Sequence, residues 1–166
     1  MIQELEFKSN YKELDNENDL PDHLKFLLSQ ATNALESSYS PYSHFKVGAA
    51  VLLNTGMMVL GSNQENASYP VGICAERVTL SAAAAQHPAS KITAIAITVK
   101  AKNFIATSPV SPCGICRQSL LEYEHRYQNK IEIVLKGETG KIWWIPSIKN
   151  IMPLYFDGDA INSKNK

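Results

Sequence analysis

Apolar residues recur at helical spacing between Pro21 and the Ser37-Ser38 pair. This period predicts a first helix, and Pro21 is a suitable residue for its start. The apolar positions of the helix are Leu24, Phe26, Leu27, Leu28, Ala31, Ala34 and Leu35. The twenty residues before it are rich in Glu, Asp, Asn and Lys and lack an apolar period. We therefore expect them to form a loosely docked extension.

Short apolar runs farther along the chain predict five strands. Their ranges are 46–53, 57–61, 92–99, 131–135 and 141–145. A second helix is expected to begin near Cys74, a third to run from Cys113 to about Tyr123, and a short helical segment to cover residues 147–152. The predicted order is helix, two strands, helix, strand, helix, two strands. One mixed sheet with helices on both faces accommodates this order, which gives an α/β fold.

The composition of the chain argues against several classes of function. Its 166 residues, 45% of them hydrophobic, suffice for one core but not for two domains of ordinary size. Sixteen basic residues balance sixteen acidic ones, so no broad positive field is available to bind a nucleic acid. The N-terminus lacks the features of a signal peptide, and no apolar run approaches the ~20 residues of a membrane span. We therefore expect a cytoplasmic protein with neither a nucleic acid nor a membrane as partner.

The three cysteines of the chain lie at two predicted helix starts. Cys113 and Cys116 are three residues apart, so both sulfur atoms lie on one helix face, where unpaired backbone N–H groups favour thiolates. Cys74 can bring a third sulfur from the other helix. Simple burial and redox chemistry are the alternatives for such cysteines. Three sulfur ligands would leave one position for water, which is typical of a catalytic zinc site, because structural sites normally have four protein ligands.

Two charged residues follow Cys74 in the same predicted helical turn. Glu76 would lie close to the metal without binding it, where a carboxylate can take a proton from water and pass it to a substrate. Arg77 could hydrogen-bond a ligand sulfur and offset the negative charge of three thiolates. Glu76 also has a simpler interpretation, as a carboxylate favoured by a helix N-terminus, and Arg77 has one as a solvated arginine. Arg117 can be interpreted in the same two ways as Arg77, with less support for a role beside the metal.

Four segments of the chain carry recognisable motifs in a fixed order. They are Pro41-Tyr-Ser-His-Phe-Lys-Val-Gly-Ala-Ala50, Asn63-Gln-Glu-Asn66, Cys74-Ala-Glu-Arg77 and Pro112-Cys-Gly-Ile-Cys-Arg-Gln118. Together they resemble the small, homotetrameric cytidine deaminases, and the Cys, Glu and Pro-Cys-x-x-Cys residues match the signature of zinc nucleobase deaminases. The resemblance runs from about Leu24 to Gly158 and implies a three-layer α-β-α sandwich with a five-stranded mixed sheet. We expect a catalytic domain at residues 21–158, an N-terminal extension at 1–20 and a C-terminal tail at 159–166.

The resemblance also implies an activity and a cofactor. Enzymes of this family hydrolyse cytidine and deoxycytidine to the uridines and ammonia, a reaction of pyrimidine salvage, with one Zn²⁺ per subunit. Cys74, Cys113 and Cys116 match the zinc ligands of the family. Glu76 matches its proton-transferring carboxylate, and Arg77 matches a residue that supports the ligands.

Further positions resemble residues that bind the substrate. Asn63 and Glu65 match a pair that hydrogen-bonds the ribose hydroxyls, for which an amide and a carboxylate are well suited. Phe45 matches an aromatic residue that packs on the pyrimidine, although an aromatic beside a strand often belongs to the core. The backbone N–H of Ala75 falls where the family binds the ring carbonyl.

Two aromatic residues, Tyr69 and Phe156, resemble residues that reach the site of a neighbouring subunit. If either contributes across an interface, full activity requires assembly. The resemblance therefore implies a homotetramer with shared active sites.

The sequence is also compatible with three other functions. A related deaminase with the same metal motifs could act on another aminopyrimidine nucleoside, such as blasticidin S. A thiol oxidoreductase would use Cys113 and Cys116 alone and leave the other motifs unexplained. A non-catalytic zinc module would need a fourth protein ligand, and the candidates are His23, His44, His87 and His125. The histidines are scattered along the sequence, and we assign none of them a catalytic role.

Overall fold

A mixed sheet separates two layers of helices in the computed structural model, which describes residues 1–161. The order of the strands across the sheet is β1-β6-β5-β4-β2-β3. The β4–β5 pair is parallel, and the other neighbouring pairs are antiparallel. The bounds are β1 Lys12–Leu14, β2 Phe45–Leu53, β3 Met58–Ser62, β4 Ile92–Ala101, β5 Glu132–Lys136 and β6 Ile142–Ile145.

The two faces of the sheet are covered by different helices. α1, Asp22–Ala34, packs on one face, whereas α2, Ala75–Gln86, and α3, Gly114–Tyr127, pack on the other. Because side chains alternate along a strand, β2 contributes Ala50 to the α1 side and Val51 to the α2 side. The predicted α/β class and its three-layer arrangement are therefore confirmed.

Glycines allow both helix layers to approach β2 and β3 closely. A Cβ atom at Gly48 of β2 would lie 2.2 Å from the carbonyl oxygen of Ala31 in α1. A Cβ atom at Gly61 of β3 would lie 2.5 Å from Oγ1 of Thr79 in α2. The second contact fixes the position of the helix that carries Glu76, because no larger side chain fits between α2 and the sheet.

The prediction of five strands was wrong, because the structure has a sixth strand inside the predicted extension. β1 pairs with β6 so that Lys12 lies opposite Trp144 and Glu13 opposite Trp143. The indole N–H of Trp143 donates to Glu13 (3.0 Å), and the ammonium of Lys12 lies 4.1 Å from the Trp144 ring centroid. Three residues are too few for a strand period in the sequence, and these long-range contacts stabilise the strand instead.

The remaining elements lie close to their predicted positions. α3 continues one turn beyond Tyr123 and ends at Tyr127, before Gln128, whose φ of 52° is left-handed. The short helical segment predicted at 147–152 is a 3-10 helix at Ile148–Ile151. The predicted C-terminal tail extends into residues 162–166, which lie outside the described residues.

Candidate metal centre and adjoining cavity

The segment that precedes α2 is held against the end of β3. Gln64 and Ile73 exchange two backbone hydrogen bonds of 3.0 Å, and this bridge places Cys74 directly before the first turn of α2. Cys74 has an extended backbone and is the N-terminal cap residue, so Ala75 is the first helical residue. The N–H groups of that first turn have no acceptor within the helix and are available to a ligand.

The start of α3 supplies the other two sulfur atoms. Cys113 is the N-terminal cap residue and is exposed, whereas Cys116 lies in the first turn and is completely buried. Their Sγ atoms are 3.5 Å apart. Because the helix begins at Gly114, immediately after the cap, the three-residue spacing places both sulfurs on one face, as a shared metal ligand set requires.

The sulfur atoms of Cys74, Cys113 and Cys116 all lie within 4.8 Å of one another. In the described part of the chain, no histidine, aspartate or glutamate belongs to this candidate ligand set. A hydrogen bond from Cys116, together with one from Cys113 and the charge of Arg77, lowers the pKa of the Cys74 thiol to about 6. The same contact with Cys74 raises the pKa of Cys116. Three converging sulfurs with one readily ionised thiol suit Zn²⁺, which thiolates bind well.

Glu76 lies beside this cluster and has little contact with solvent. It is 5% exposed, and burial raises the pKa of its carboxyl group, although a hydrogen bond with Cys116 acts in the opposite direction. Arg77, the next residue, is half-buried and lines a groove between α2 and α3 together with Gly114. Its effect on the cluster is electrostatic, because its charge favours the thiolate of Cys74.

A cavity of about 320 Å³ opens onto the cluster. This volume lies within the usual range for pockets that hold small molecules. Cys74, Glu76 and Cys113 line the cavity, as do Asn63, Glu65 and Tyr69. The apolar part of its wall consists of Val47, Ile73, Ile97, Val99 and Val110. A neighbouring recess of about 350 Å³ shares Glu65, Tyr69 and Gly72 with it and also contains Tyr42 and Ser43.

The side chain of Asn63 is fixed by the start of β2. Its Oδ1 accepts from the backbone N–H of Val47 (2.8 Å) and from the hydroxyl of Ser38 (2.6 Å), and its Nδ2 donates to the carbonyl of Phe45 (2.9 Å). An amide nitrogen has two hydrogens, so one donor remains for a ligand.

Glu65 is held by the loop that precedes β2. Its Oε2 accepts from the backbone N–H groups of Tyr42 (2.9 Å) and Ser43 (3.3 Å), and its Oε1 accepts from the Ser43 hydroxyl. The Ser43 hydroxyl and these backbone donors keep the pKa of the Glu65 carboxyl below its usual value. Glu65 is therefore an oriented carboxylate with lone pairs still available.

The three predicted aromatic residues occupy different positions. Tyr69 lines the cavity and is 75% exposed. Phe45 is half-buried and stacks on Phe104, with ring centroids 6.2 Å apart, but it is not among the residues that line the cavity. Phe156 is 59% exposed, and its carbonyl accepts from the side-chain amide of Gln118 in α3 (3.0 Å). One chain alone thus brings only Tyr69 of the three to the cavity wall.

Sequence reasoning did not identify Ser111 as part of the site and gave Arg117 little support. Ser111 lines the cavity, and Arg117 donates a hydrogen bond to its hydroxyl (2.9 Å). The available signal was their position, since both directly flank the Pro112-Cys-Gly-Ile-Cys116 motif.

A family model and several curated proteins are similar to this chain in sequence. A sequence model of the cytidine and deoxycytidylate deaminase zinc-binding region matches residues 21–128. The cytidine deaminase of Halalkalibacterium halodurans is 42% identical over 98 residues, which are 59% of this chain and 70% of that protein. The cytidine deaminase of Mycoplasma genitalium is 35% identical over 104 residues, 63% of this chain and 75% of that protein.

Solved structures give the same result. The crystal structure of cytidine deaminase from Burkholderia pseudomallei superposes with a TM-score of 0.69 at 35% identity, covering 82% of this chain and 100% of that one. The structure of cytidine deaminase from Mycobacterium tuberculosis has a TM-score of 0.62 at 30% identity, covering 81% of this chain and 97% of that one.

Among residues 1–161, no helix combines the length and the apolar character needed to cross a membrane.

Proposed function

Because this chain belongs to the cytidine and deoxycytidylate deaminase family, with its zinc-binding region at residues 21–128, we propose that it hydrolyses cytidine and deoxycytidine. The products are uridine or deoxyuridine and ammonia, and the reaction serves pyrimidine salvage. The enzyme is a zinc-dependent deaminase, with Cys74, Cys113 and Cys116 proposed as the ligands of one zinc ion per subunit.

The observation that carries this proposal is the arrangement of two polar groups of residues around one cavity. Cys74, Cys113 and Glu76 provide a metal site with an adjacent carboxylate, and Asn63 and Glu65 provide an oriented amide and carboxylate. A base that is to be deaminated requires the first set, and the hydroxyls of an attached sugar suit the second. A free base would leave Asn63 and Glu65 without a ligand.

The protein's own groups move the protons of the reaction. When bound to the three sulfurs, zinc would supply a Lewis acid that lowers the pKa of water. Glu76 takes a proton from the attacking water and gives it to the ring nitrogen next to the carbon that bears the amine. The same carboxylate then takes the second proton from the oxygen that has been added to this carbon and gives it to the amine, and the bond from the carbon to the amine nitrogen breaks as ammonia leaves. The N–H of Ala75, in the first turn of α2, donates to the carbonyl oxygen of the ring.

Apolar and aromatic groups complete the proposed substrate site. Phe45 would pack on the pyrimidine either after its side chain changes rotamer or because a neighbouring subunit completes the site around it. Tyr69 and Phe156 have large exposed surfaces that a second chain could cover, which supports a homotetramer with shared active sites. Light scattering that gave the mass of a single 18.4 kDa chain would contradict this assembly.

The proposed substrate class is tested by ammonia release from a panel of compounds. We expect turnover of cytidine and deoxycytidine, and much less or none of cytosine, adenosine and blasticidin S, because only the first two pair an aminopyrimidine with the sugar hydroxyls that Asn63 and Glu65 can bind. The protein should be assayed after metal analysis, so that inactivity is not caused by zinc loss. Turnover of cytosine without turnover of cytidine would overturn the assignment, and preferred turnover of blasticidin S would move it to the related antibiotic deaminases.

Replacing Glu65 with Gln is expected to weaken recognition of the sugar. A hydrogen bond to a charged group contributes about 1.5–3 kcal/mol, so kcat/KM for cytidine should fall roughly 10- to 150-fold. For 2′,3′-dideoxycytidine, which lacks the two hydroxyls, the same variant should lose little. The pKa of the Glu65 carboxyl is lowered, so the group is ionised both at neutral and at mildly acidic pH. The ratio of the loss in kcat/KM for cytidine to the loss for 2′,3′-dideoxycytidine should therefore be the same at the two pH values. Equal losses for the two substrates would contradict the sugar-binding role.

A further inference from the structure

The side chain of Arg117 makes three hydrogen bonds that the proposed mechanism does not use. Its Nε donates to the carbonyl oxygen of Pro112 (2.8 Å), its Nη2 to the hydroxyl of Ser111 (2.9 Å) and its Nη1 to the carbonyl oxygen of Ile151 (2.7 Å). Arg117 directly follows Cys116 in α3, and Pro112 directly precedes Cys113. One guanidinium group therefore links the loop before one proposed ligand to the helical turn that carries another.

The three acceptors bonded to Arg117 are neutral. Within residues 1–161, no carboxylate forms an ion pair with it. Its contribution to the fold therefore depends on geometry, because the planar guanidinium presents several N–H donors at fixed angles. Lysine has the same charge but cannot hold three acceptors in this fixed arrangement.

The third acceptor, Ile151, belongs to a segment that α3 also holds at other points. Glu124 accepts from the hydroxyl of Ser147 (2.8 Å) and from the backbone N–H of Ile148 (3.2 Å), and Gln118 donates to the carbonyl of Phe156 (3.0 Å). These contacts fasten the C-terminal segment along α3. Of the three α3 residues, Arg117 is the one that also bonds to the loop before Cys113.

We propose that Arg117 is a positioning residue of the metal centre. Its forked hydrogen bonding fixes the Ser111-Pro112 loop, and through this loop it sets the position of the Cys113 sulfur and the orientation of the Ser111 hydroxyl in the cavity. The inference rests on the proposed function in one respect, which is the assignment of Cys113 as a zinc ligand. It adds a residue that acts through the ligand and does not touch the substrate.

Arg117→Gln and Arg117→Lys test this role in the intact chain. We expect Arg117→Gln to bind zinc roughly 10 to 100 times more weakly than the wild type, which is the usual effect of losing a group that orients a metal ligand, and to release it correspondingly faster to a chelator. The visible absorption of the Co²⁺-substituted protein should also change, because it reports the ligand geometry. Arg117→Lys should recover only a small part of both properties. Neither readout requires turnover, so an enzyme inactive on every nucleoside would sink the proposed function and leave this test intact.

Two control variants separate positioning from general stability. Arg126→Gln removes an arginine from the last turn of the same helix, where its guanidinium lies 5.6 Å from the Tyr127 ring, and should leave zinc release unchanged. Glu124→Gln should lower the thermal midpoint without changing the cobalt spectrum. If Arg117→Gln does not fold, Ser111→Ala removes a single acceptor and should still accelerate zinc release several-fold. Wild-type behaviour of Arg117→Gln or of Ser111→Ala would overturn the proposal. Full recovery of zinc release and of the cobalt spectrum in Arg117→Lys would also overturn it, because the positive charge alone would then account for the effect.

Discussion

Replacement of Glu76 with Gln should reduce kcat for cytidine by about three orders of magnitude and leave the zinc content unchanged. The amide has nearly the shape of the carboxylate and fits the same buried position beside the cluster. It cannot take a proton from water or return one to the ring, and a positioned acid or base typically contributes 10²- to 10⁴-fold. KM for cytidine should change much less than kcat, because the sugar contacts are not altered and the amide of glutamine keeps the shape of the cavity wall.

The matched control for this variant is Glu122→Gln. Glu122 is an exposed glutamate of α3 that borders the groove between α2 and α3, so its replacement makes the same chemical change outside the cavity. It should retain wild-type kcat. Activity of Glu76→Gln within tenfold of the wild type would remove Glu76 from the proton-transfer role. Loss of zinc from Glu76→Gln would indicate that the carboxylate binds the metal.

The sequence predicts which residues meet at the candidate metal centre, because the cysteines and Glu76 lie at two helix starts. Helix geometry makes the positions of Cys113 and Cys116 relative to each other a local property, and the same holds for Cys74 and Glu76. The approach of the two helix starts to each other is not local. It depends on the sheet order and on the packing of α2 at Gly61, and the sequence predicts it only through the resemblance, which implies that the three cysteines bind one zinc ion.

Other features depend on contacts that no local pattern encodes. β1 exists because Lys12 and Glu13 contact Trp143 and Trp144, more than a hundred residues away in the sequence. The three acceptors of Arg117 are two carbonyl oxygens and a hydroxyl, and the sequence does not specify which of the many such groups it will meet. Phe45 stacks on Phe104 and does not line the cavity, and this contact is likewise not encoded by a local pattern.

Replacement of Cys116 with Ala should abolish zinc binding and reduce turnover more than Glu76→Gln does. Cys116 is completely buried, its sulfur lies 3.5 Å from that of Cys113, and alanine supplies no donor atom in its place. Two remaining sulfurs are too few for a stable tetrahedral zinc site. Loss of the metal also removes the activation of water, which Glu76→Gln leaves in place. Metal analysis after gel filtration and the cytidine assay measure both effects.

Chelation of the wild type provides the matched comparison for Cys116→Ala. Zinc that binds only the folded chain stabilises it, so a chelator should lower the thermal midpoint of the wild type toward that of Cys116→Ala and should have no effect on the variant. Ser119→Ala removes one atom from the next turn of α3, where its hydroxyl donates to the carbonyl of Ile115 (3.0 Å), and should keep both zinc and activity. A chelator effect of equal size on Cys116→Ala and on the wild type would mean that the metal binds elsewhere. The three-sulfur cluster would then be a packing feature, and the deamination chemistry assigned to Glu76 would lose its basis.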